Sequence, residues 1–188
     1  MQKECECIMF GKLKNLFSQP GITIASPVSG TVVPLTEVPD PTFAQGILGP
    51  GAAVQPSEGR IVAPANGTVD MMFDTGHAVS MTTSEGAELL IHVGIDTVNL
   101  KGQHYTAKCK SGDTVRKGDT LIEFDIDAIR EAGYDTITPM VVTNKKKFGE
   151  ITPAAPGGFD EAGTWLGPDM ADVRGQAEAR RALDEGVI

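Results

Sequence analysis

The sequence predicts an all-β architecture, an antiparallel sandwich or barrel built on an internal pseudo-repeat of strand–turn–strand units. Three observations carry that prediction. Ile24-Ala25-Ser26-Pro27-Val28-Ser29-Gly30-Thr31-Val32 recurs as Ile61-Val62-Ala63-Pro64-Ala65-Asn66-Gly67-Thr68-Val69, with Ile, Pro, Gly, Thr and Val each 37 positions apart. The 188 residues include 22 Gly and 12 Pro with only 5% aromatics, the composition of short strands joined by tight turns. Segments of helical period are scarce, so each repeat copy reads as strand, Pro-led turn and strand with no helix between copies. A third turn of related type, Gly112 to Asp119, precedes the strand-like Thr120-Leu121-Ile122-Glu123-Phe124. Two or three copies are too few for a solenoid.

The elements follow in order. Residues 1–19 form a leader, in which Phe10, Leu13, Leu16 and Phe17 fall at helical spacing, with Lys12 and Lys14 elsewhere on the wheel. Two readings stay open for residues 8–17: a basic amphipathic helix resting on an anionic membrane surface, or a short tail packed on the domain. Residues 20–170 form the folded domain. Between the repeat copies, Val38 to Gly51 holds too many Pro and Gly for a central strand and reads as a surface loop whose Phe43, Ile47 and Leu48 are either a lid over the core or part of a contact surface. Asp125 to Ala132 reads as one or two helical turns, Thr136 to Asn144 as a strand, and Lys145-Lys146-Lys147 as a solvated turn. Residues 171–188, with Ala177, Ala179, Ala182 and Leu183 among charged residues, read as an exposed helical tail.

The chemistry concentrates in residues 73–102, which hold two of the three histidines, His77 and His92. Leu89-Leu90-Ile91-His92-Val93-Gly94-Ile95 is apolar and rich in Ile and Val, so it reads as a buried strand. An imidazole inside such a strand needs a hydrogen-bond partner. Val79 to Met81 and Glu88 to His92 flank the turn-like Thr82-Thr83-Ser84-Glu85-Gly86. That hairpin puts both imidazoles on one face. Paired imidazoles serve metal binding, acid–base work or nucleophilic phosphoryl chemistry.

The pattern His77-Ala78 … Gly86-x-Glu88-Leu89-x-Ile91-His92-x-Gly94-x-Asp96-Thr97-Val98-x-Leu100-x-Gly102 closely resembles the signature of the glucose-type IIA domain of the bacterial phosphoenolpyruvate:sugar phosphotransferase system. The resemblance extends over about residues 20–152 and is loose beyond, where Gly163-Thr164-Trp165-Leu166 resembles the closing strand. It implies a phosphocarrier that accepts a phosphoryl group from the carrier protein HPr on Nε2 of His92. It also implies a Gly94 carbonyl holding the other ring nitrogen, His77 as a donor to the phosphoryl oxygens, and Thr75 orienting the His77 ring. Asp96 sets the local field and partner contacts, and Phe43, Ile47, Leu48, Phe73 and Val98 form an apolar docking rim that keeps water out. The partners implied are HPr, the IIB and IIC parts of a sugar permease, and regulatory targets. No cofactor is implied beyond transient phosphohistidine, although His77 and His92 can hold an incidental zinc ion. Gly76, Leu90 and Val93 depart from many members of the family, and bear on partner preference rather than on the chemistry.

Other classes have less behind them. A zinc hydrolase wants three protein ligands and an open position, and His104 stands alone after Gly102. A biotinyl or lipoyl carrier needs a lysine at a hairpin tip, where the two copies instead carry Val28-Ser29 and Ala65-Asn66. A pure interaction module is the third alternative. The net charge of −9 argues against nucleic acid as a partner. Cys5, Cys7 and Cys109 make no disulfide framework, and no secretory signal or spanning segment is evident, so the expected location is the cytoplasm, at or near the inner face of the membrane.

Overall fold

A computed structural model describes residues 22–148, 151, 157–159 and 165–166. The amphipathic segment 8–17 and the helical tail 171–188 lie outside the described residues. Twelve strands run β1 Gly30–Pro34, β2 Gly51–Pro56, β3 Arg60–Val62, β4 Gly67–Met72, β5 Ala78–Thr83, β6 Glu88–His92, β7 Tyr105–Ala107, β8 Thr114–Val115, β9 Thr120–Phe124, β10 Thr138–Val142, β11 Gly157–Phe159 and β12 Trp165–Leu166. Nine of them form one sheet in the order β12-β11-β1-β2-β10-β6-β5-β4-β8, and three form a second in the order β3-β9-β7. Every pairing is antiparallel. Among the described residues the two α-helices are short: α1, Pro41–Ala44, and α2, Ile126–Glu131, the latter capped by the Asp125 carboxylate on the Ala128 amide.

The repeat copies meet each other. Ala25 N–H donates to the Pro64 carbonyl at 3.1 Å, and Val62 N–H donates to the Pro27 carbonyl at 2.8 Å. The second bond is the first with the copies exchanged, the mark of a local two-fold relation. Gly30 and Gly67, equivalent in the two copies, both press against a neighbouring strand. A Cβ on Gly30 would lie 2.1 Å from the Gln55 carbonyl oxygen, and one on Gly67 2.2 Å from that of Thr82, so neither position admits a side chain. The likeness is not complete: Ile61 and Val62 belong to β3, whereas Ile24 to Ser26 belong to no strand. There Ser26 turns its hydroxyl onto the Val28 carbonyl at 2.7 Å, a local bond that competes with pairing.

The main core fills the space enclosed by the sheets with Val32, Val54, Ile61, Val69, Val79, Met81, Leu89, Ile91, Leu121 and Ile122, all buried. Each fully buried aliphatic side chain contributes about 1.5–3 kcal/mol. A smaller cluster of Leu35, Val38, Phe43, Ala53, Ile95, Ile137 and Val141 lies apart from it. Strand β6 explains why two clusters are needed. Its side chains alternate, Leu89 and Ile91 entering the main core while Leu90 packs on the smaller cluster. His92 shares the parity of Leu90. The apolar run around His92 is therefore continuous because both faces of the strand are covered.

Two expectations need correction. The segment 38–51 is not simply an exposed loop. Asp40 caps α1 by accepting from the Thr42 amide at 2.6 Å, and Pro41 takes the first helical position. The short helix turns Phe43 inward until it is 4% exposed. The turn between β5 and β6 is also shorter than predicted. The β-branched Thr82 and Thr83 stay in the strand, opposite Glu88 in the case of Thr82, and only Ser84 to Ala87 make the bend.

Candidate active site

Register brings the two histidines together. In the β5–β6 ladder Ala78 lies opposite His92, so His77 is the residue just before the paired strand. The Val93 amide donates to the His77 carbonyl at 2.7 Å, which carries the pairing one step beyond β6. The ring centroids of His77 and His92 are 4.8 Å apart with an interplanar angle of 76°. Phe43 meets His92 edge-on at 5.6 Å, and Phe73 meets His77 edge-on at 5.6 Å. The four rings form a row, Phe43–His92–His77–Phe73, with each imidazole braced on its outer side by a phenyl ring.

The remaining ring contacts fix orientation. His92 Nδ1 lies 2.7 Å from the Gly94 carbonyl oxygen. That oxygen can only accept, so Nδ1 carries the proton and Nε2 carries the lone pair. Gly94 has φ +77°, and a Cβ there would lie 2.5 Å from Thr97 Cγ2 and 2.6 Å from the Asp135 carbonyl oxygen, so only glycine fits the position that aims this carbonyl. His77 Nδ1 lies 2.5 Å from Thr75 Oγ1, a hydroxyl that can donate to it.

Burial, and after it the neighbouring His92 ring, pushes His77 down to about 4 from an ordinary imidazole near 6.5. Burial also lowers His92, while the Gly94 hydrogen bond and the Asp40 and Asp96 carboxylates pull the other way. Both rings are neutral at pH 7. Asp96 is exposed, stands in the left-handed region at φ 58°, and spends its carboxylate on no cap. Short polar side chains tolerate that backbone best, and a non-glycine held there often marks a working position.

Thr75, His77, His92, Gly94 and Asp96 are thus gathered around one pair of rings. The five apolar candidates divide. Ile47 and Val98 are 67% and 50% exposed, Leu48 and Phe73 are half-buried, and Phe43 is buried beneath the rim. Sequence reasoning missed Asp40, whose Asp-Pro pair ahead of a helical turn is an N-cap signal. It also missed Tyr105, which left no sequence signal. His104 is exposed on the loop before β7. Among the described residues no group of three or more His, Cys, Asp or Glu is placed to hold a metal ion, and a pair of imidazoles falls short of the three protein ligands a catalytic zinc takes.

Two neutral imidazoles, one with its lone pair left at Nε2, beside carboxylates and an apolar rim suit transfer of a phosphoryl group between nitrogen atoms. Comparison with known proteins agrees. The family profile described as phosphoenolpyruvate-dependent sugar phosphotransferase system, EIIA 1, matches residues 22–148. The glucose-specific EIIA component of Oceanobacillus iheyensis is 44% identical over 143 residues, covering 73% of this chain and 87% of that protein. The beta-glucoside-specific EIIBCA component of Dickeya chrysanthemi is 49% identical over 138 residues, but the chain spans only 22% of its length. Among solved structures, glucose permease IIA from Mycoplasma capricolum superposes with a TM-score of 0.69 at 30% identity, covering 77% of this chain and 93% of that one. The chain belongs to the EIIA 1 family of the phosphoenolpyruvate-dependent sugar phosphotransferase system. It is a phosphotransferase component on an antiparallel β-sandwich, and nothing in these likenesses favours a zinc hydrolase.

Proposed function

We propose that this chain carries a phosphoryl group on Nε2 of His92, taking it from phosphorylated HPr and passing it to a IIB domain for sugar uptake. The observation behind the assignment is the different partner at each Nδ1. The Gly94 carbonyl opposite His92 leaves Nε2 as a nucleophile. The Thr75 hydroxyl opposite His77 can donate, which leaves the His77 proton on Nε2 as a donor toward the phosphoryl oxygens. In the transfer, the N–P bond of the donor phosphohistidine breaks, its electron pair returns to that ring, and a new N–P bond forms at His92 Nε2. Positive charge then grows on the His92 ring. The groups that raise its proton affinity, the Gly94 carbonyl and the Asp40 and Asp96 carboxylates, stabilise that charge for the same electrostatic reason.

Ile47 and Val98 supply exposed apolar area around the rings, and a partner docked on them excludes water, so the phosphoryl group passes to an acceptor rather than to solvent. In the Dickeya chrysanthemi relative the matching segment is one part of an EIIBCA protein, which supports IIB and IIC as the onward partners. The reading needs no resident cofactor. No described helix is long and apolar enough to cross a membrane; the proposed place of work is the inner face of the membrane, where the basic amphipathic sequence of residues 8–17 suits an anionic surface. The test is incubation with phosphoenolpyruvate and the two general phosphotransferase proteins, followed by mapping of the acid-labile phosphate. Label on His92 is expected; label on His77 would reverse the two roles.

A further inference from the structure

Strand β7 delivers Tyr105 from the three-stranded sheet to the back of the histidine pair. Its hydroxyl donates to the Val93 carbonyl at 3.0 Å, and the Thr97 hydroxyl donates to the same oxygen at 2.7 Å. Both acceptor positions of that carbonyl are therefore filled. The other end of the same peptide unit is also tied, because the Gly94 amide donates to the Ile137 carbonyl at 3.1 Å. The next unit is held likewise, with the Ile95 amide on the Asp135 carbonyl at 3.1 Å and the Gly94 carbonyl facing His92 Nδ1 at 2.7 Å. Two successive peptide planes are thus pinned, and the second one sets the tautomer of His92. Gly94 between them has no Cβ to restrain it, and its φ of +77° is one of several basins open to glycine. Restraint on the Val93–Gly94 plane therefore comes from the groups bonded to its carbonyl and amide.

We infer that Tyr105 is a positioning residue for phosphoryl transfer: its hydroxyl, together with that of Thr97, locks the Val93–Gly94 peptide so that the Gly94 carbonyl keeps the proton on His92 Nδ1. The inference rests on the reading of His92 as the phosphoryl acceptor. The ring is itself well fixed. It stacks on Phe124 at 6.3 Å with an interplanar angle of 22°, and its Cβ lies 3.2 Å from where a Cβ on Gly76 would be, directly before His77. One side chain from the second sheet therefore hydrogen-bonds the backbone after His92 and closes off the side-chain space of the residue before His77. Burial raises the Tyr105 phenol above its ordinary value, against a smaller opposing pull from the neighbouring Thr97 hydroxyl, so it remains a neutral donor through the physiological range. Phenylalanine would keep the ring and its stacking and lose only the hydrogen bond.

Tyr105→Phe isolates that bond, with Thr97→Ser (hydroxyl kept) and Thr97→Val (hydroxyl lost) as companions. Nitrogen-15 NMR of the imidazoles reads the His92 tautomer with no phosphoryl donor present, and single-turnover transfer from phosphorylated HPr reads the rate. In Tyr105→Phe the share of His92 protonated at Nδ1 should fall and transfer should slow about two- to tenfold, equivalent to about 0.4–1.4 kcal/mol. Thr97→Val should move both readouts the same way, and Thr97→Ser should leave both near wild type. A folded Tyr105→Phe protein with the wild-type tautomer ratio overturns the inference, as does a slower rate without a tautomer change. Should the wild type take no label on His92, the acceptor assignment falls, while the tautomer measurement still decides the part played by Tyr105.

Discussion

His77 and His92 are the same side chain less than 5 Å apart by ring centroid, yet the segments holding them differ in kind. His92 ends a strand covered on both faces, and its ring is tied to backbone at Gly94. His77 precedes a strand, and its ring is tied to a side-chain hydroxyl at Thr75. A backbone carbonyl has no proton to give, whereas a hydroxyl gives or takes according to need. The first therefore fixes one tautomer, and the second can follow a change in charge next door. Identical residues acquire different work from the partner of the far nitrogen, which is the basis of the roles proposed for them.

The comparison can be broken most directly at His92. His92→Ala removes the attacking nitrogen, and no acid-labile phosphoprotein should form; a labelled His92→Ala protein would mean the roles are misassigned. His77→Gln keeps a donor near the phosphoryl oxygens but cannot take up a proton as the transfer proceeds. It should accept label from phosphorylated HPr and pass it on about 10- to 100-fold more slowly, the effect of a charge-assisted bond of roughly 1.5–3 kcal/mol. Single-turnover transfer to a IIB acceptor checks this, and equal onward rates would erase the distinction between the rings. Gly94→Ala attacks the backbone half of the contrast. A left-handed alanine pressed on Thr97 and the Asp135 carbonyl should cost about 2 kcal/mol, lowering Tm by roughly 4–8 °C in thermal denaturation.

The smallest effect is on pH dependence. The His77 ring takes up a proton near pH 6.5 when unfolded but only near about 4 when folded. The unfolded state then binds more protons between those values, so stability should fall as pH drops through that window and be insensitive to this group above it. Carboxylates complicate the lower end. The informative comparison is therefore Tm between pH 5 and 7, where His77→Gln should show a shallower decline than wild type. Parallel profiles would remove the buried neutral ring from the account.

Much of this was legible in the sequence because it was local. The repeat, the existence of the β5–β6 hairpin though not its register, and a strand expected over Thr136 to Asn144 and observed as Thr138–Val142 follow from composition and period, and the motif singled out the paired histidines with Gly94 between Val93 and Ile95. The cover over His92 was legible only as one of two readings, a lid or a contact surface. Val38 to Gly51 looks like exposed loop by its Pro and Gly, and the burial of Phe43 depends on Ala53, Ile95, Ile137 and Val141 from four other parts of the chain. Tyr105 escaped for a related reason: nothing around it marks a residue whose hydroxyl crosses from one sheet to the backbone of another. Alternation, too, was hidden in Leu89 to Val93, since an apolar side chain looks the same whichever core it enters.

Strand β10 lies between β2 and β6 in the nine-stranded sheet, although both of those are completed long before it in the chain. Until Thr138–Val142 emerges, β2 and β6 each present an open edge, and the amides of Gly94 and Ile95 lack the carbonyls of Ile137 and Asp135. During synthesis the interval from His92 to Thr138 is 46 residues, a wait of a few seconds at roughly 5–20 residues per second. For that interval the nascent chain holds both imidazoles but no fixed cradle for His92, with bare strand edges prone to the wrong pairing. Order of manufacture thus sets a floor on when the chain becomes competent, and a ribosome that stalls in this window holds a chain with two unpaired strand edges.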